Sequence, residues 1–584
     1  MLYFIIAWAF LTVLCYVIGT NLLNTFKADC FEQRGDRFII AVWLGVVVLC
    51  VSLLTTSLVL PLSSLVGLGV SVILVSLSLL SRQTRTEVTD FSSNLSLNLI
   101  GGFFTLEVVV ASLTSQQVTW IDTGLYHFGA IHWLSEYGAV PGVALIQNRF
   151  GWTSSWFALA APFHSEIFGD RVSAITNGFA LLITILHFLL SIGHIFTKKA
   201  KLADWLVIIS SFIILPMLMI RSLPIVNKKS LMSIILVSPS PDIPILLLTL
   251  VVAWTILIIS DTNKLLWDAD NNFTLDARII PLILAAGAVT MKPTAFPLLP
   301  VVGLFYLSGK NLSIQRIFSG IIILFLLLFP MLIFGIITSG CPLFPSSFMC
   351  LDLPWSVIDK EQMARNVGIA GWWKWFGSPP SGENYLLWVL TQWFKNNLLN
   401  QLMVVLLIVS VMFAIWILKT AKIREIWGHI WVIAIGVTGI AFIMIVSPII
   451  RFGLGYFLLI PALLVASYMQ KMVSIILSQK SHDFNFLFQR KKLSKFKGVV
   501  PFFMASLATV ALVQGITQSR FVLPPAMPKV QVITAQLNDI QYVYPEEKAL
   551  CWGTELPCAL GPIEQTIKLR DPSQGIGGGF IHAR

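Results

Sequence analysis

Long apolar segments recur along the whole chain, and they constrain the fold more than any other feature. Of the 584 residues, 56% are hydrophobic and 11% are charged, whereas soluble domains carry about 25% charged residues. About 14 stretches approach the roughly 20 apolar residues that a helix needs to cross a bilayer, near 3–20, 39–57, 62–81, 96–113, 172–196, 203–220, 241–260, 279–291, 295–308, 317–338, 398–418, 428–446, 452–470 and 499–515. The sequence therefore predicts an all-α, multi-pass protein of the lipid bilayer.

The net charge of +11 falls in alternate connections between these segments. Cytoplasmic loops of membrane proteins are enriched in Lys and Arg, so the charge indicates sidedness and does not indicate nucleic-acid binding. The segment 114–170 carries only Arg149, which places it outside, whereas the connection 221–240 goes against the rule. The basic connections contain Lys27, Arg34 and Arg37; Arg82 and Arg85; Lys198, Lys199 and Lys201; Lys310 and Arg316; Lys419, Lys422 and Arg424; and the run from Gln489 to Lys497.

This charge pattern predicts a multi-pass protein with both termini on the extracytoplasmic side. No cleavable signal is expected, because the positive charge follows the first apolar segment. Residues 1–515 are predicted to form the transmembrane bundle, including two extracytoplasmic loops at 114–170 and 339–397. The remaining residues, 516–584, are predicted to form a small extracytoplasmic C-terminal segment that caps the bundle.

Four of the seven cysteines form two short pairs, Cys341 with Cys350 and Cys551 with Cys558. Both pairs fall in segments that the charge pattern places outside, where disulfides persist. We therefore expect two disulfides, with four free thiols as the alternative. The other three cysteines, Cys15, Cys30 and Cys50, lie in apolar helices or in a connection assigned to the cytoplasm.

The stretch WIDTGLYHFGAIHWLSEYGAVPGVALIQNR, from Trp120 to Arg149, concentrates ionisable side chains in an apolar and aromatic loop. These are Asp122, His127, His132, Glu136 and Arg149. Such groups are costly in an apolar setting unless they are paired or used. The two histidines are five residues apart and do not share a helix face, which disfavours a helical zinc site. The loop is therefore the first candidate for a functional site.

Two other motifs in the sequence are further candidates for a function. The loop 339–397 is rich in tryptophan, at Trp355, Trp372, Trp373, Trp375, Trp388 and Trp393. These side chains indicate an interfacial aromatic belt, or alternatively the lining of an entry groove for a lipid-linked substrate. The sequence WDADNN, from Trp267 to Asn272, contains an Asp-x-Asp pair but lies on the predicted cytoplasmic side and lacks the glycine of a calcium loop.

An acidic residue soon after a membrane exit, amphipathic segments and then the Arg-led helix GDRVSAITNGFALLITI resemble the polytopic GT-C glycosyltransferases. The resemblance is best over about 115–196, with fainter agreement at SPSPDIPILLL, AVTMKPTAFPLLP and SPIIRFGLGYFLL. More narrowly, the chain looks like a group of bacterial membrane proteins of uncharacterised function thought to share that architecture. This resemblance implies a location in the bacterial inner (plasma) membrane. Two features depart from the pattern: three extra helices precede the loop, and Thr123 stands where many relatives have a second acid.

The resemblance implies a sugar donor linked to polyprenyl phosphate, used at the extracytoplasmic face, with Asp122 as the catalytic aspartate. We expect inverting single displacement onto a hydroxyl of a glycan, lipid or protein acceptor. Asp122 would act as the base that accepts the hydroxyl proton, or as the ligand of a divalent metal such as Mg²⁺ or Mn²⁺. The departure at Thr123 puts the metal in doubt.

The leaving phosphate needs cationic stabilisation, and four cations fall on the predicted outer side: Arg149, Arg221, Lys292 and Arg451. His127, Glu136 and Asp242 complete the candidate substrate-binding residues. For three of these candidates, a structural role has to be compared with the functional one. Asp242 could be a helix N-cap and Lys292 could extend from a helix break to the interface. Arg451 starts a helix, where the helix dipole opposes a cation, and this favours a functional role.

Two other classes of function stay open. A transporter or flippase of lipid-linked glycans would show internal repeats and broken helices with charges near the bilayer midplane. The chain has no convincing repeat, and only the break at Lys292-Pro293 favours this reading. A non-catalytic subunit of a larger membrane assembly is the third possibility.

Overall fold

A computed structural model describes most of the chain, and it is mostly helical. The described residues are 1–164, 175–220, 222–223, 228–229, 231–261, 275–308, 313–357, 379–396, 398–420, 426–479, 505–548 and 550–583. Three of the sequence features described above lie outside these ranges: the Asp-x-Asp motif, the basic run from Gln489, and three of the tryptophans (Trp372, Trp373 and Trp375).

The helices follow the apolar segments closely. They are α1 (Leu2–Thr25), α2 (Arg34–Ser57), α3 (Ser64–Leu79), α4 (Arg82–Ser93), α5 (Leu97–Thr114), α6 (Phe128–Glu136), α7 (Val143–Ile146), α8 (Ser155–Ala160), α9 (Ile175–Phe196), α10 (Leu202–Met219), α11 (Leu231–Leu236), α12 (Asp242–Asp261), α13 (Ile279–Met291), α14 (Leu298–Leu307), α15 (Ile314–Ser339), α16 (Tyr385–Asn396), α17 (Leu398–Thr420), α18 (Trp427–Val446), α19 (Ile450–Gln479) and α20 (Ala505–Thr517).

Nine helices among the described residues are long and apolar enough to cross a membrane. The number reaches 11 if two bent pairs each count as one span, namely α3 with α4, bent by 102°, and α16 with α17, bent by 111°. Helices α13, α14 and α20 are apolar but shorter. The prediction of a multi-pass helical membrane protein is confirmed, whereas the count of 14 stays a prediction.

Helix α12 lies at the centre of the bundle, and its 20 residues give it a length of about 30 Å. Nearly all of its side chains are buried, from Ile243 to Ile259, because α9, α10, α13, α18 and α19 pack around it. Such uniform apolarity is expected of a helix enclosed by others. Its two ends, Asp242 and Asp261, mark the two faces of the bundle.

The loop that follows α5 covers the Asp242 face. The Leu62 N–H, in the turn after α2, donates to the Leu134 oxygen at 2.8 Å. The Ser154 hydroxyl donates to the Met291 oxygen at the end of α13, also at 2.8 Å. The segments that the charge pattern assigns to one side therefore contact one another.

The basic connections meet at the opposite face. Arg37 forms an ion pair with Glu87 of α4, and Lys201 Nζ lies 3.8 Å from Asp261 Oδ2. The two sets of connections thus separate to opposite ends of α12, as alternating charge predicts for a multi-pass chain.

The C-terminal segment contains short strands, which the all-α expectation missed. Strands β3 (Val532–Leu537) and β4 (Ile540–Pro545) form an antiparallel hairpin, and β5 (Ile567–Leu569) pairs with β6 (Phe580–His582). A further pair of two-residue strands, β1 (Ser222–Leu223) and β2 (Lys228–Lys229), follows α10. These strands escaped the sequence analysis because segments of two to six residues give only a weak alternation signal.

The C-terminal segment packs directly on the loop after α5. The Trp552 N–H donates to the Gly124 oxygen at 3.0 Å, and the indole lies so close that a Cβ on Gly124 would come within 2.5 Å of it. The Phe580 N–H donates to the Pro141 oxygen at 2.9 Å. Gly124 is therefore required by this contact, and the segment holds the loop in place.

Both expected disulfides are present, joining Cys341 to Cys350 and Cys551 to Cys558. The other three cysteines are free and buried. Replacing Cys551 and Cys558 together by serine should lower the free energy of unfolding by about 2 kcal/mol, the lower end of the usual range, because the closed loop is short. Mass spectrometry of unreduced peptides should detect both linkages in the wild type, and free thiols at all four positions would contradict an extracytoplasmic location.

The predicted orientation can be tested with a thiol reagent that does not cross membranes. Gln83 is exposed on α4 and Glu547 is exposed in the C-terminal segment. In spheroplasts, a Glu547→Cys variant should be labelled directly, and a Gln83→Cys variant only after permeabilisation. The wild type is the control, because its free cysteines are buried. Labelling of Gln83→Cys alone in intact spheroplasts would invert the orientation.

Candidate functional site

Four charged side chains that are far apart in the sequence meet at the Asp242 face, and we call Asp122, Asp242, Lys292 and Arg451 the charged cluster. Arg451 Nη2 lies 3.2 Å from Asp122 Oδ2, and its Nε lies 3.8 Å from Asp242 Oδ2. Lys292 Nζ forms an ion pair with Asp242 Oδ1. All four were predicted as site residues, and the structure brings them together.

Each member stands where a helix begins or breaks. Asp242 is the first residue of α12, where the helix dipole favours a carboxylate. Lys292 follows α13, just before the 3₁₀ turn Pro293–Ala295, and Arg451 is the second residue of α19. Asp122 immediately precedes the π-helical turn Thr123–His127. Interrupted helices therefore supply all four side chains at the same depth.

Burial differs between the two carboxylates. The side chain of Asp242 is 3% exposed, whereas that of Asp122 is 23% exposed; Lys292 and Arg451 lie between them at 18% and 16%. With two cations and two carboxylates the charged cluster is formally neutral, as a partly buried set of charges must nearly be. Asp242 is the inner partner of both cations, and Asp122 is the carboxylate that a ligand can reach.

Aromatic rings surround the two cations of the charged cluster, and these rings were not among the residues predicted from the sequence. The Arg451 guanidinium carbon lies 4.8 Å from the centre of the Trp120 ring and 4.7 Å from that of Phe452. Lys292 Nζ lies 3.8 Å from the centre of the Phe452 ring. Cation–π contacts of this kind hold a cation in place. The only sign of these rings in the sequence is that Trp120 lies two residues before Asp122 and that Phe452 directly follows Arg451.

Tyr126 and His127 lie buried beneath the charged cluster in the π-helical turn. Burial lowers the pKa of His127 well below its usual value, and Lys292 and Arg451 add to this effect. Burial also raises the pKa of the Tyr126 hydroxyl well above its usual value. Both side chains are therefore neutral near pH 7, and the His127 Nδ1 has no hydrogen-bond partner among the described residues.

The other predicted site residues lie outside this set of contacts. Arg149, in a short 3₁₀ turn, stacks over Trp152 with its guanidinium carbon 5.9 Å from the ring centre. Trp152 in turn contacts Tyr126 at 5.1 Å between ring centres. Glu136 ends α6 and is exposed. Arg221 lies outside the described residues.

An apolar cavity lies under the same loop. It is lined by Trp133, Val143, Phe150, Trp152, Phe157 and Phe334, with six further residues. Trp152 and Phe157 both contact Tyr126, at 5.1 Å and 6.3 Å between ring centres. Tyr126, buried in the π-helical turn, therefore packs against two of the side chains that line the cavity.

The donor set at Asp122 does not fit a divalent metal. Among the described residues Asp122 belongs to no group of three or more side chains able to share an ion. The oxygen of Asp122 that points into the cluster already faces the Arg451 guanidinium, and a cation there would be repelled by Arg451 and Lys292. We therefore derive no step through a metal at this position.

His132 forms a separate feature of the loop, with its ring centre 5.0 Å from that of His164. Burial, and secondarily His164, lowers the pKa of His132 from 6.5 to about 4. The unfolded chain therefore binds a proton at this position below about pH 6.5, whereas the folded chain does not until about pH 4. Stability contributed by neutral His132 is present above pH 6.5 and is lost as the pH falls towards 4.

Replacing His132 by asparagine should flatten the acid side of the stability profile. Between pH 7 and pH 4 the wild type should lose stability relative to the variant by on the order of 3 kcal/mol. Thermal and denaturant unfolding of the two proteins in the same detergent would measure this difference. Parallel pH profiles for both would show that His132 titrates normally.

Taken together, the fold and the charged cluster define a multi-pass helical membrane protein with a polar site at one face of its bundle. The chain belongs to the family DUF8201, described as a domain of unknown function, whose model matches residues 1–458. No curated protein and no solved structure matches the chain. The matched part contains all four residues of the charged cluster and ends before the C-terminal segment.

Proposed function

We propose that this protein is a GT-C-type glycosyltransferase that moves a sugar from a polyprenyl-phosphate donor to an acceptor hydroxyl at the extracytoplasmic face. The convergence of Asp122, Asp242, Lys292 and Arg451 is the observation that carries the proposal. One accessible carboxylate beside two cations is the set of groups that this reaction needs. The proposal includes 14 membrane spans within residues 1–515 and a separate C-terminal segment over residues 516–584.

Asp122 is proposed as the general base. As the acceptor oxygen forms its bond to the anomeric carbon, the bond from that carbon to the phosphate oxygen breaks with its electron pair. The hydroxyl proton passes to the Asp122 carboxylate, and the sugar carbon inverts. Polyprenyl phosphate leaves without needing a proton, so no general acid is required. The 23% exposure of Asp122 makes it the carboxylate of the charged cluster best placed to meet an acceptor.

Arg451 and Lys292 are proposed to hold the phosphate. The phosphodiester gains one negative charge when it becomes a phosphomonoester, while Asp122 loses one by taking up the proton. Arg451 contacts Asp122 at 3.2 Å, so protonation of Asp122 frees this guanidinium for the departing phosphate. Charge-assisted hydrogen bonds from guanidinium to phosphate are among the strongest available. Asp242, almost fully buried, keeps both cations in position throughout.

The surroundings suit a lipid-linked donor. The charged cluster lies at the end of α12, about one bilayer thickness from the opposite face, so a phosphate at headgroup depth is the ligand that we propose for it. The neutral, buried His127 is proposed to bind the sugar or the acceptor by a hydrogen bond.

The proposal can be tested with purified protein in liposomes, a panel of short-chain polyprenyl-phosphate sugars, and glycan and lipid acceptors that carry free hydroxyls. Release of polyprenyl phosphate, measured by mass spectrometry, should require the protein and depend on Asp122. A Glu547→Gln variant, which alters an exposed carboxylate of the C-terminal segment, is the matched control and should react at the wild-type rate. A flippase would instead move the donor between leaflets without consuming it, and a non-catalytic subunit would do neither.

A further inference from the structure

A second group of ionisable side chains lies at the opposite face of the bundle, and the proposed sugar transfer does not use it. Asp36 is in the first turn of α2, His194 in the last turn of α9, and Asp204 in the first turn of α10. We call these three residues the Asp–His–Asp group. It lies at the face marked by Asp261, whereas the charged cluster lies at the face marked by Asp242.

The three side chains converge in the interior. His194 Nδ1 lies 2.7 Å from Asp204 Oδ1 and 3.9 Å from Asp36 Oδ1. One ligand atom from each residue can be chosen so that all three lie within 4.8 Å of one another. Relative exposure is 3% for Asp36, 9% for His194 and 0% for Asp204, so the group is enclosed by protein.

One atom of this group is left without a partner. Asp204 is accounted for, because its Oδ2 accepts from the Lys201 N–H at 2.7 Å and its Oδ1 faces His194. Asp36 Oδ1, in contrast, is buried and has no hydrogen-bond partner among the described residues. A carboxylate oxygen that is buried without a hydrogen-bond partner destabilises the folded protein. It points into the group, at the position where a third ligand atom would be needed.

A bound cation would also balance the charge of the group. With a neutral imidazole and both carboxylates ionised, the state that a metal site requires, the group carries two negative charges inside the protein. The helix dipoles of α2 and α10 favour a carboxylate in their first turns, and the C-terminal end of α9 favours a positive charge at His194. Lys199 and Lys201 lie close enough to act electrostatically on the group, but Lys201 Nζ contacts Asp261 instead.

We propose that Asp36, His194 and Asp204 bind one divalent transition-metal ion of the zinc class, which joins the ends of α2, α9 and α10. One imidazole nitrogen with two carboxylate oxygens suits Zn²⁺ and disfavours Mg²⁺ and Ca²⁺, which prefer all-oxygen sites. The unpartnered oxygen of Asp36 would become a ligand, and water would complete the coordination. The ion would fix the helices at this face independently of the sugar chemistry at the other.

Metal content of the purified full-length protein tests this inference. After treatment with chelator and dialysis against Zn²⁺, elemental analysis should find about one zinc per chain. His194→Gln and Asp36→Asn should each lower the affinity for Zn²⁺ by at least 10-fold, a loss of the size that even supporting residues of metal sites produce. Asp261→Asn, which removes a carboxylate from the same face, is the matched control and should bind as the wild type does.

Two measurements need only the wild-type protein, so they test the inference even if a variant does not fold. Co²⁺ added to the chelator-treated protein should give the intense visible absorption of a tetrahedral site, and Zn²⁺ should raise the midpoint of thermal unfolding. A protein that binds no stoichiometric zinc, or whose unfolding midpoint is insensitive to it, would overturn the inference. The three side chains would then be a hydrogen-bonded group sharing a proton. Equal zinc binding by the control and both ligand variants would overturn it as well.

Discussion

Asp122→Asn should lower the rate of sugar transfer by roughly 10²–10⁴, the usual contribution of a positioned general base. Asparagine keeps the size of the side chain and can still accept a hydrogen bond from Arg451, but it cannot take up the acceptor proton. Binding of the donor should survive, because Lys292 and Arg451 remain. Single-turnover assays with a short-chain donor would separate the rate of transfer from the affinity.

Two further variants sharpen this prediction. Asp122→Glu retains a base but displaces it, and should fall between the wild type and the asparagine variant. Glu547→Gln should be indistinguishable from the wild type in the same assay. Sugar transfer at the wild-type rate by Asp122→Asn, with a donor that the wild type consumes, would show that Asp122 is not the base.

Arg451→Ala should weaken donor binding by about 10- to 100-fold, because the phosphate loses a hydrogen bond to a charged group. The KM for the donor should rise accordingly. Arg451 also lies against Trp120 and Phe452, so lysine is not an equivalent replacement, and Arg451→Lys should recover only part of the affinity. Binding of a short-chain polyprenyl phosphate to protein in detergent would measure both variants.

The loss in Arg451→Ala also has a structural component that must be separated. Removing the guanidinium leaves Asp122 without its cation and Asp242 with Lys292 alone. Unfolding of the variant in detergent reports this cost directly. Unchanged phosphate affinity in a folded Arg451→Ala protein would remove Arg451 from the donor site, and the same comparison applies to Lys292→Ala.

The membrane architecture was predictable because its signals are local. Runs of apolar residues gave the helices of the bundle, and alternating basic connections separated the segments that lie at the two ends of α12. The break at Lys292-Pro293 appeared in the sequence as a Lys-Pro interruption, and the structure ends α13 at Met291. The disulfides followed from cysteine spacing combined with predicted sidedness.

The site was only partly predictable, since its geometry depends on how helices pack. Asp122, Asp242, Lys292 and Arg451 could be selected because each is an ionisable residue at the predicted end or break of an apolar segment. Their mutual contacts could not be derived, because residues up to 329 positions apart meet through the bundle. Glu136 and Arg149 were predicted on a weaker criterion, their place in an apolar and aromatic loop, and the former is exposed whereas the latter stacks on Trp152.

The Asp–His–Asp group shows the limit of the charge criterion most clearly. Asp36 and Asp204 lie in the first turns of their helices and His194 in the last turn of its helix, where the helix dipole favours such side chains, so none of the three stands out in the sequence. Their spacing in the sequence matches no metal-ligand motif. Only the packing of α2, α9 and α10 brings the three side chains together.

A structure of the Asp122→Asn variant with a bound donor would show whether a polyprenyl-phosphate sugar reacts at the charged cluster. We expect phosphate density within hydrogen-bond distance of Lys292 and Arg451, with the anomeric carbon facing residue 122 and the isoprenoid chain running into the bilayer. A donor bound instead between the helices near the bilayer midplane, or a charged cluster still closed by its own ion pairs beside saturating donor, would contradict it.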